Sequence, residues 1–193
     1  MATNSLTQPS TDELKLVEVS ANFLCEIADL TPGKSLEAKL NRDYGPSSEI
    51  YQQLSELALR GLRDGWLANQ EVRRQITGPN YRRSRLRAPS EEQSWFSITA
   101  VYMESEGEQV FAGQYHAHPY GEINCSIPVP GTGANPELEG TDGFWAGCGW
   151  TCPGPGSHHY PKARGGGLIS LFFLPAGRIS YNATPDMPQP VDP

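Results

Sequence analysis

The chain is predicted to be an α+β protein, with helices in its N-terminal part followed by an antiparallel β-barrel. Three observations lead there. Apolar residues recur three and four apart between Thr11 and Leu62, the period of one helix face. From Trp95 onward, β-branched and aromatic residues come in short runs divided by glycine and proline, as in barrels and sandwiches. Most of the 20 glycines lie in that second half.

Residues 1–78 are the helical region. After a polar start, Leu14, Val17, Ala21, Leu24 and Ala28 share one face, Ser10 or Thr11 can cap it, and Asp12 and Glu13 suit its first turn. Pro32-Gly33 stops this helix. A short second helix is expected from Ser35 to about Arg42. A third opens at Ser47 or Ser48, runs through Ile50, Leu54, Leu57, Ala58 and Leu62, and is expected to extend past Gly65 to Arg74. Gly78-Pro79 breaks the pattern, and 79–93 reads as an arginine-rich linker carrying Arg82, Arg83, Arg85 and Arg87. The barrel occupies 94–183, with strand-like runs at 95–103, 109–118, 123–129 and 168–174. Four of the last ten residues are proline, so 184–193 reads as a flexible tail.

With a net charge of −7 the chain is a poor partner for nucleic acid. No apolar run is long enough to cross a membrane. The N-terminus lacks a basic cluster followed by an apolar core, which points to the cytoplasm. Cys25, Cys125, Cys148 and Cys152 contain no C-x-x-C pair and read as small apolar residues.

The chemistry is concentrated in the histidines. All 4 lie in two places, His116-Ala117-His118-Pro119-Tyr120-Gly121-Glu122 and His158-His159. Two imidazoles one residue apart point to the same face of a strand. Glu122 can fold back across a Pro-Tyr-Gly turn, and a histidine from a later strand would complete three nitrogens and one oxygen around a divalent metal. Zn, Fe, Mn and Ni all suit such a set. Without metal, the same residues would form an acid–base cluster.

His116, His118 and Glu122 match the His-x-His-x-x-x-Glu core of the first cupin motif, and Gly147, Pro153 and His158 resemble the second. Pro155 and Lys162 depart from it. The resemblance makes the barrel a cupin-like jelly roll, with His116, His118, Glu122 and His158 as metal ligands; His159 is the rival of His158. Residues 115–124, 154–161 and 171–181 resemble the 4-hydroxylaminobenzoate lyases more closely. That resemblance implies conversion of 4-hydroxylaminobenzoate and water to 3,4-dihydroxybenzoate and ammonia, without an organic cofactor. It places Glu122, Tyr120, Tyr160 and His159 among the catalytic groups. Arg178 would hold the small aromatic carboxylate, with Arg82, Arg83, Arg85 and Arg87 as its rivals, and Trp150 would stack on its ring. A cupin dioxygenase acting on an aromatic substrate and a non-enzymatic small-molecule-binding cupin are the alternatives. A homodimer is expected, to shield exposed strand edges.

Overall fold

A computed structural model describes residues 9–71 and 80–191. Three helices come first: α1 (Thr11–Glu26), α2 (Lys34–Asp43) and α3 (Glu49–Arg63). Ser10 caps α1 by accepting from the Glu13 amide at 3.1 Å, and Ser48 caps α3 by accepting from the Tyr51 amide at 3.2 Å. The third helix is shorter than the sequence suggested. It ends at Arg63, Gly65 turns the chain at φ +79°, and the Leu67 amide closes back on the Gly61 carbonyl at 3.0 Å. The chain then enters β1 (Gln70–Glu71); the rest of the expected extension, 72–74, lies outside the described residues.

Eleven further strands follow: β2 (Asn80–Arg87), β3 (Phe96–Glu104), β4 (Val110–Ala112), β5 (His116–Ala117), β6 (Ile123–Pro128), β7 (Glu137–Glu139), β8 (Trp145–Ala146), β9 (Gly149–Thr151), β10 (His158–His159), β11 (Lys162–Arg164) and β12 (Gly167–Pro175). They form a six-stranded sheet in the order β1-β2-β3-β12-β6-β9, a four-stranded sheet β4-β11-β7-β8 and the pair β10-β5, every pairing antiparallel. This is the helical region followed by the antiparallel β-structure expected from the sequence, with a correction in the segment between them. The arginine-rich segment is no linker: Asn80–Arg87 is a full strand of the large sheet, paired along β3. Its side chains carry no apolar alternation because one face presents Tyr81, Arg83 and Arg85 to a cavity.

The large sheet separates two environments. On one face Ile98, Ala100, Ile123, Cys125, Ile127, Ile169, Leu171 and Phe173 pack in a single core with Leu16, Phe23 and Leu24 of α1 and Leu54 and Ala58 of α3. Phe23 stacks on Trp150 at 4.7 Å between ring centroids, and the Trp150 indole N–H donates to the Tyr44 carbonyl at 2.6 Å. On the other face lie Val101, Met103 and Leu168, packed with Phe111, Leu138 and Ala163 of the smaller sheet.

The outer edge of β9 is closed from within the chain. The Asn41 side chain of α2 donates to the Trp150 carbonyl at 2.8 Å and accepts from the Trp150 amide at 2.9 Å, as a neighbouring strand would. Glu37 accepts from the Cys152 amide at 2.8 Å. A dimer is therefore not required to shield this edge. The expected flexible tail is also partly docked, since Gln189 bonds the backbone of His158 on both its amide and its carbonyl. No helix among the described residues is long and apolar enough to cross a membrane.

Candidate active site

Strand register decides which histidines meet. In the β5–β10 pair His159 lies opposite His116, and His158 opposite Ala117. Side chains alternate along a strand, so His116, His118 and His159 share one face while His158 and Ala117 share the other. The three inward imidazoles offer nitrogens that all lie within 4.8 Å of one another. Their ring centroids are 4.8 Å apart for His116 and His118, 5.2 Å for His116 and His159, and 5.1 Å for His118 and His159. His116 Nδ1 meets the Gln114 carbonyl at 2.8 Å, a contact that fixes the ring and frees Nε2 for a ligand. Both nitrogens of His118 and Nδ1 of His159 are buried with no hydrogen-bond partner.

Burial holds all three imidazoles below their ordinary pKa. For His118 the shift is large, with the neighbouring His116 and His159 adding to it. His159 is driven down to about 3 by burial, then by His116, Lys162 and His158. His116 is lowered by burial against the opposing pull of the Gln114 carbonyl. Orphaned, uncharged imidazole nitrogens converging on one point are the donor set a divalent metal takes.

The turn after His118 brings in the carboxyl group. The Gly121 amide donates to the His118 carbonyl at 3.0 Å, and the Glu122 amide to the Pro153 carbonyl at 2.9 Å. Gly121 sits at φ +79°, and a Cβ there would lie 2.6 Å from Pro32 Cβ and 2.9 Å from the Pro153 carbonyl. Only glycine suits that position. Buried Glu122 thereby places its carboxyl 3.6 Å from His118 Nδ1. Burial pushes that carboxyl up to about 8, against a hydrogen bond from Asn124.

His116, His159 and Glu122 open onto a cavity of about 410 Å³, a volume typical of small-molecule sites. His116, Glu122, Asn124 and His159 form its polar end. Val101, Leu138, Phe172 and Leu174 supply apolar wall, Tyr81 and Tyr181 supply phenols, and Arg83 and Arg85 supply cations. Register explains the cations: Arg85 pairs with Thr99, Thr99 with Phe172, and Phe172 with Asn124, so one row crosses four strands on the cavity face. Arg83 stands in the parallel row with Val101 and Ser170.

The family model described as PnbB: 4-hydroxylaminobenzoate lyase matches residues 18–181. The chain belongs to the 4-hydroxylaminobenzoate lyase family. A 4-hydroxylaminobenzoate lyase from Nocardioides sp. (strain LMS-CY) is 54% identical over 170 residues, covering 88% of this chain and 95% of the relative. One from Pseudomonas putida is 49% identical over 174 residues, covering 87% and 94%. Among solved structures, a chain from crystal structures of DMSP lyases overlays with a TM-score of 0.45 at 14% identity, covering 90% of this chain and 97% of that chain.

Within this member of the 4-hydroxylaminobenzoate lyase family, His116, His118 and Glu122 come together as their spacing suggested. The third histidine differs. The cupin resemblance favours His158 as a ligand, but its ring lies outside the cluster, with Nδ1 against the Tyr115 hydroxyl and Nε2 3.2 Å from the Pro188 carbonyl. Glu122 lines the cavity but falls outside the group of converging nitrogens. Tyr120 is 53% exposed beside Leu30 and Trp95, away from the cavity, and Tyr160 packs edge-on against Tyr115. Trp150 is core beneath the helices. Arg87 drops out of the cavity row at an irregularity in β2 after Arg85 and turns its guanidinium to the Leu86 carbonyl at 2.6 Å, while Arg178 is exposed outside the cavity lining. Tyr81, Asn124, Phe172 and Tyr181 also line the cavity, and no sequence motif marks them as site residues. The signal for Tyr81 was alternation with Arg83 and Arg85, visible once the segment is known to be a strand.

Proposed function

We propose that this chain converts 4-hydroxylaminobenzoate and water to 3,4-dihydroxybenzoate and ammonia, a step of nitroaromatic degradation. The match to the 4-hydroxylaminobenzoate lyase family over residues 18–181 carries this reading. The cavity supports it by uniting a carboxyl group, the imidazoles of His116 and His159 with His118 buried behind them, an apolar wall and a cationic side.

The reaction balances without an external oxidant. A proton reaches the hydroxylamino oxygen, the N–O bond breaks and water departs, leaving an electron-poor ring. Water adds at the neighbouring carbon and gives a ring imine. A second water displaces ammonia from that imine, and loss of the ring hydrogen restores aromaticity as a catechol. Order matters here, because rearomatisation before ammonia leaves would yield an aminophenol instead.

In this reading Glu122 is the proton carrier, buried at the polar end of the cavity where the hydroxylamino group would sit. His116, His118 and His159 would hold a divalent ion such as Zn, Fe, Mn or Ni, and the orphaned nitrogens of His118 and His159 fit that role. Such an ion supplies Lewis-acid polarisation and water activation when bound. Val101, Leu138, Phe172 and Leu174 enclose the ring and keep stray nucleophiles from the electron-poor intermediate.

The test is an anaerobic assay with 4-hydroxylaminobenzoate, following ammonia and 3,4-dihydroxybenzoate before and after chelation. Both products in equal amounts without oxygen support the lyase. Oxygen-dependent turnover would replace it with a dioxygenase, and absence of turnover in the metal-replete protein would remove the proposal. Loss of activity on chelation, restored by one added metal, would assign the histidines.

A further inference from the structure

Two features of the cavity are unused by the steps above. Arg83 and Arg85 point to its lining from alternate positions of β2, and among the described residues neither guanidinium has a hydrogen bond or ion-pair partner. Across the sheet, Asn124 is 2% exposed and donates to the Thr151 hydroxyl at 3.1 Å, yet its Oδ1 is buried with no partner. A buried, unsatisfied acceptor on a side chain that lines a cavity is costly unless something donates to it. The cations and the acceptor lie on the same face of one sheet, and Arg85, Thr99, Phe172 and Asn124 occupy a single row across it.

That row is a ruler. Three strand intervals separate Arg85 from Asn124, about 14 Å between backbones. An arginine reaching in from one end and the short Asn124 amide at the other leave space for one benzene ring with a substituent at each end. Phe172 stands between them as a surface on which a ring can lie.

We propose that Arg83 and Arg85 seat the carboxylate of a para-substituted benzoate, that its ring lies along Phe172, and that Asn124 Oδ1 accepts from the N–H of its hydroxylamino end. This inference deepens the lyase reading and rests on it for the nature of the far substituent. Guanidinium pairs suit a carboxylate because their planar donors match its two oxygens. The arrangement also explains how the reacting nitrogen is delivered to Glu122 and the histidines: anchoring the remote carboxylate fixes how far into the cavity the ring can travel.

The experiment compares wild type with Arg83→Met, Arg85→Met, the double variant, Asn124→Leu, and Arg63→Met as a charge control on the surface of α3. Substrates are 4-hydroxylaminobenzoate, its 3-isomer and carboxylate-free phenylhydroxylamine, and benzoate binding is measured by calorimetry. Each cavity arginine variant should raise KM for 4-hydroxylaminobenzoate and weaken benzoate roughly 10- to 100-fold, with kcat far less affected. Phenylhydroxylamine turnover should match wild type in these variants, and Arg63→Met should alter nothing. Asn124→Leu should erode the preference for the 4-isomer over the 3-isomer. Unchanged KM and unchanged benzoate affinity in a folded double variant would overturn the seat while leaving the lyase reading intact. Wild type that binds benzoate through these arginines but does not turn over 4-hydroxylaminobenzoate would sink the lyase reading and keep the carboxylate seat.

Discussion

Gly121→Ala tests whether the turn that carries Glu122 is built around a missing side chain. At φ +79° an alanine incurs about 1–2 kcal/mol of left-handed backbone strain. Its Cβ would also meet Pro32 at 2.6 Å and the Pro153 carbonyl at 2.9 Å, neither the end of a flexible chain. Forcing an extra carbon into such a contact costs a further ~1–3 kcal/mol. Gly131→Ala is the matched control, because Gly131 has φ +82° and nothing within 4 Å of its notional Cβ. Both variants carry the strain and only Gly121→Ala carries the collision, so urea unfolding should separate them by about 1–3 kcal/mol. For a chain of this size, that corresponds to a difference in Tm of roughly 2–12 °C. Because relief of the clash moves the segment between His118 and Glu122, Gly121→Ala should also lose turnover while Gly131→Ala keeps it. Equal stabilities with full activity in both would refute the close-approach argument.

Four further expectations follow from the same geometry. His159→Ala should abolish divalent-metal retention after dialysis, measured by elemental analysis, whereas His158→Ala should keep it; the reverse pattern would reinstate His158. Trp150→Phe should destabilise by about 1–3 kcal/mol in urea titration, since the Tyr44 carbonyl loses its donor, and KM should not move; a raised KM at unchanged stability would return Trp150 to the substrate. Gln189→Ala should weaken metal retention roughly tenfold by loosening the strand that carries His159, in the way loss of supporting contacts weakens other metal sites; unchanged affinity by competition with a chelator would refute it. Lys34→Met should cost less than about 1 kcal/mol, as Lys34 and Asp142 are both 44% exposed. Burial raises the Asp142 carboxyl, but the Lys34 and Phe144 contacts outweigh it and leave it below its ordinary range. The contribution is therefore present above the ordinary carboxylate pKa and fades as pH falls through the depressed one, so the gap between the two proteins should close below about pH 4.

The helices and the strands β3, β6 and β12 were legible because each buries one periodic apolar face. Strand β2 was not, since Tyr81, Arg83 and Arg85 line the cavity while Ser84 is buried and Leu86 joins the core, which leaves no apolar alternation to read. His116, His118 and Glu122 were legible because a single strand and its turn hold them, so local spacing sufficed. The choice between His158 and His159 depends on pairing with Ala117 and His116 of a distant strand, and spacing within the doublet carries no information about it. Trp150 and Arg87 were misplaced for a related reason: an aromatic ring or a guanidinium suits either face of a strand, and register alone assigns the face.

The His158-His159 doublet presents the folding chain with a degenerate choice. Sliding β10 by one position against β5 would turn the strand over and offer the other imidazole to the same pair, so the nitrogens alone discriminate poorly between two alignments. The tiebreak is supplied from the outer face, where Gln189 and the Pro188 carbonyl grip the backbone and ring of His158. A variant without the Gln189 and Pro188 contacts would retain every inward imidazole yet lose outer contacts that, with the Tyr115 hydroxyl, tell one alignment from the other.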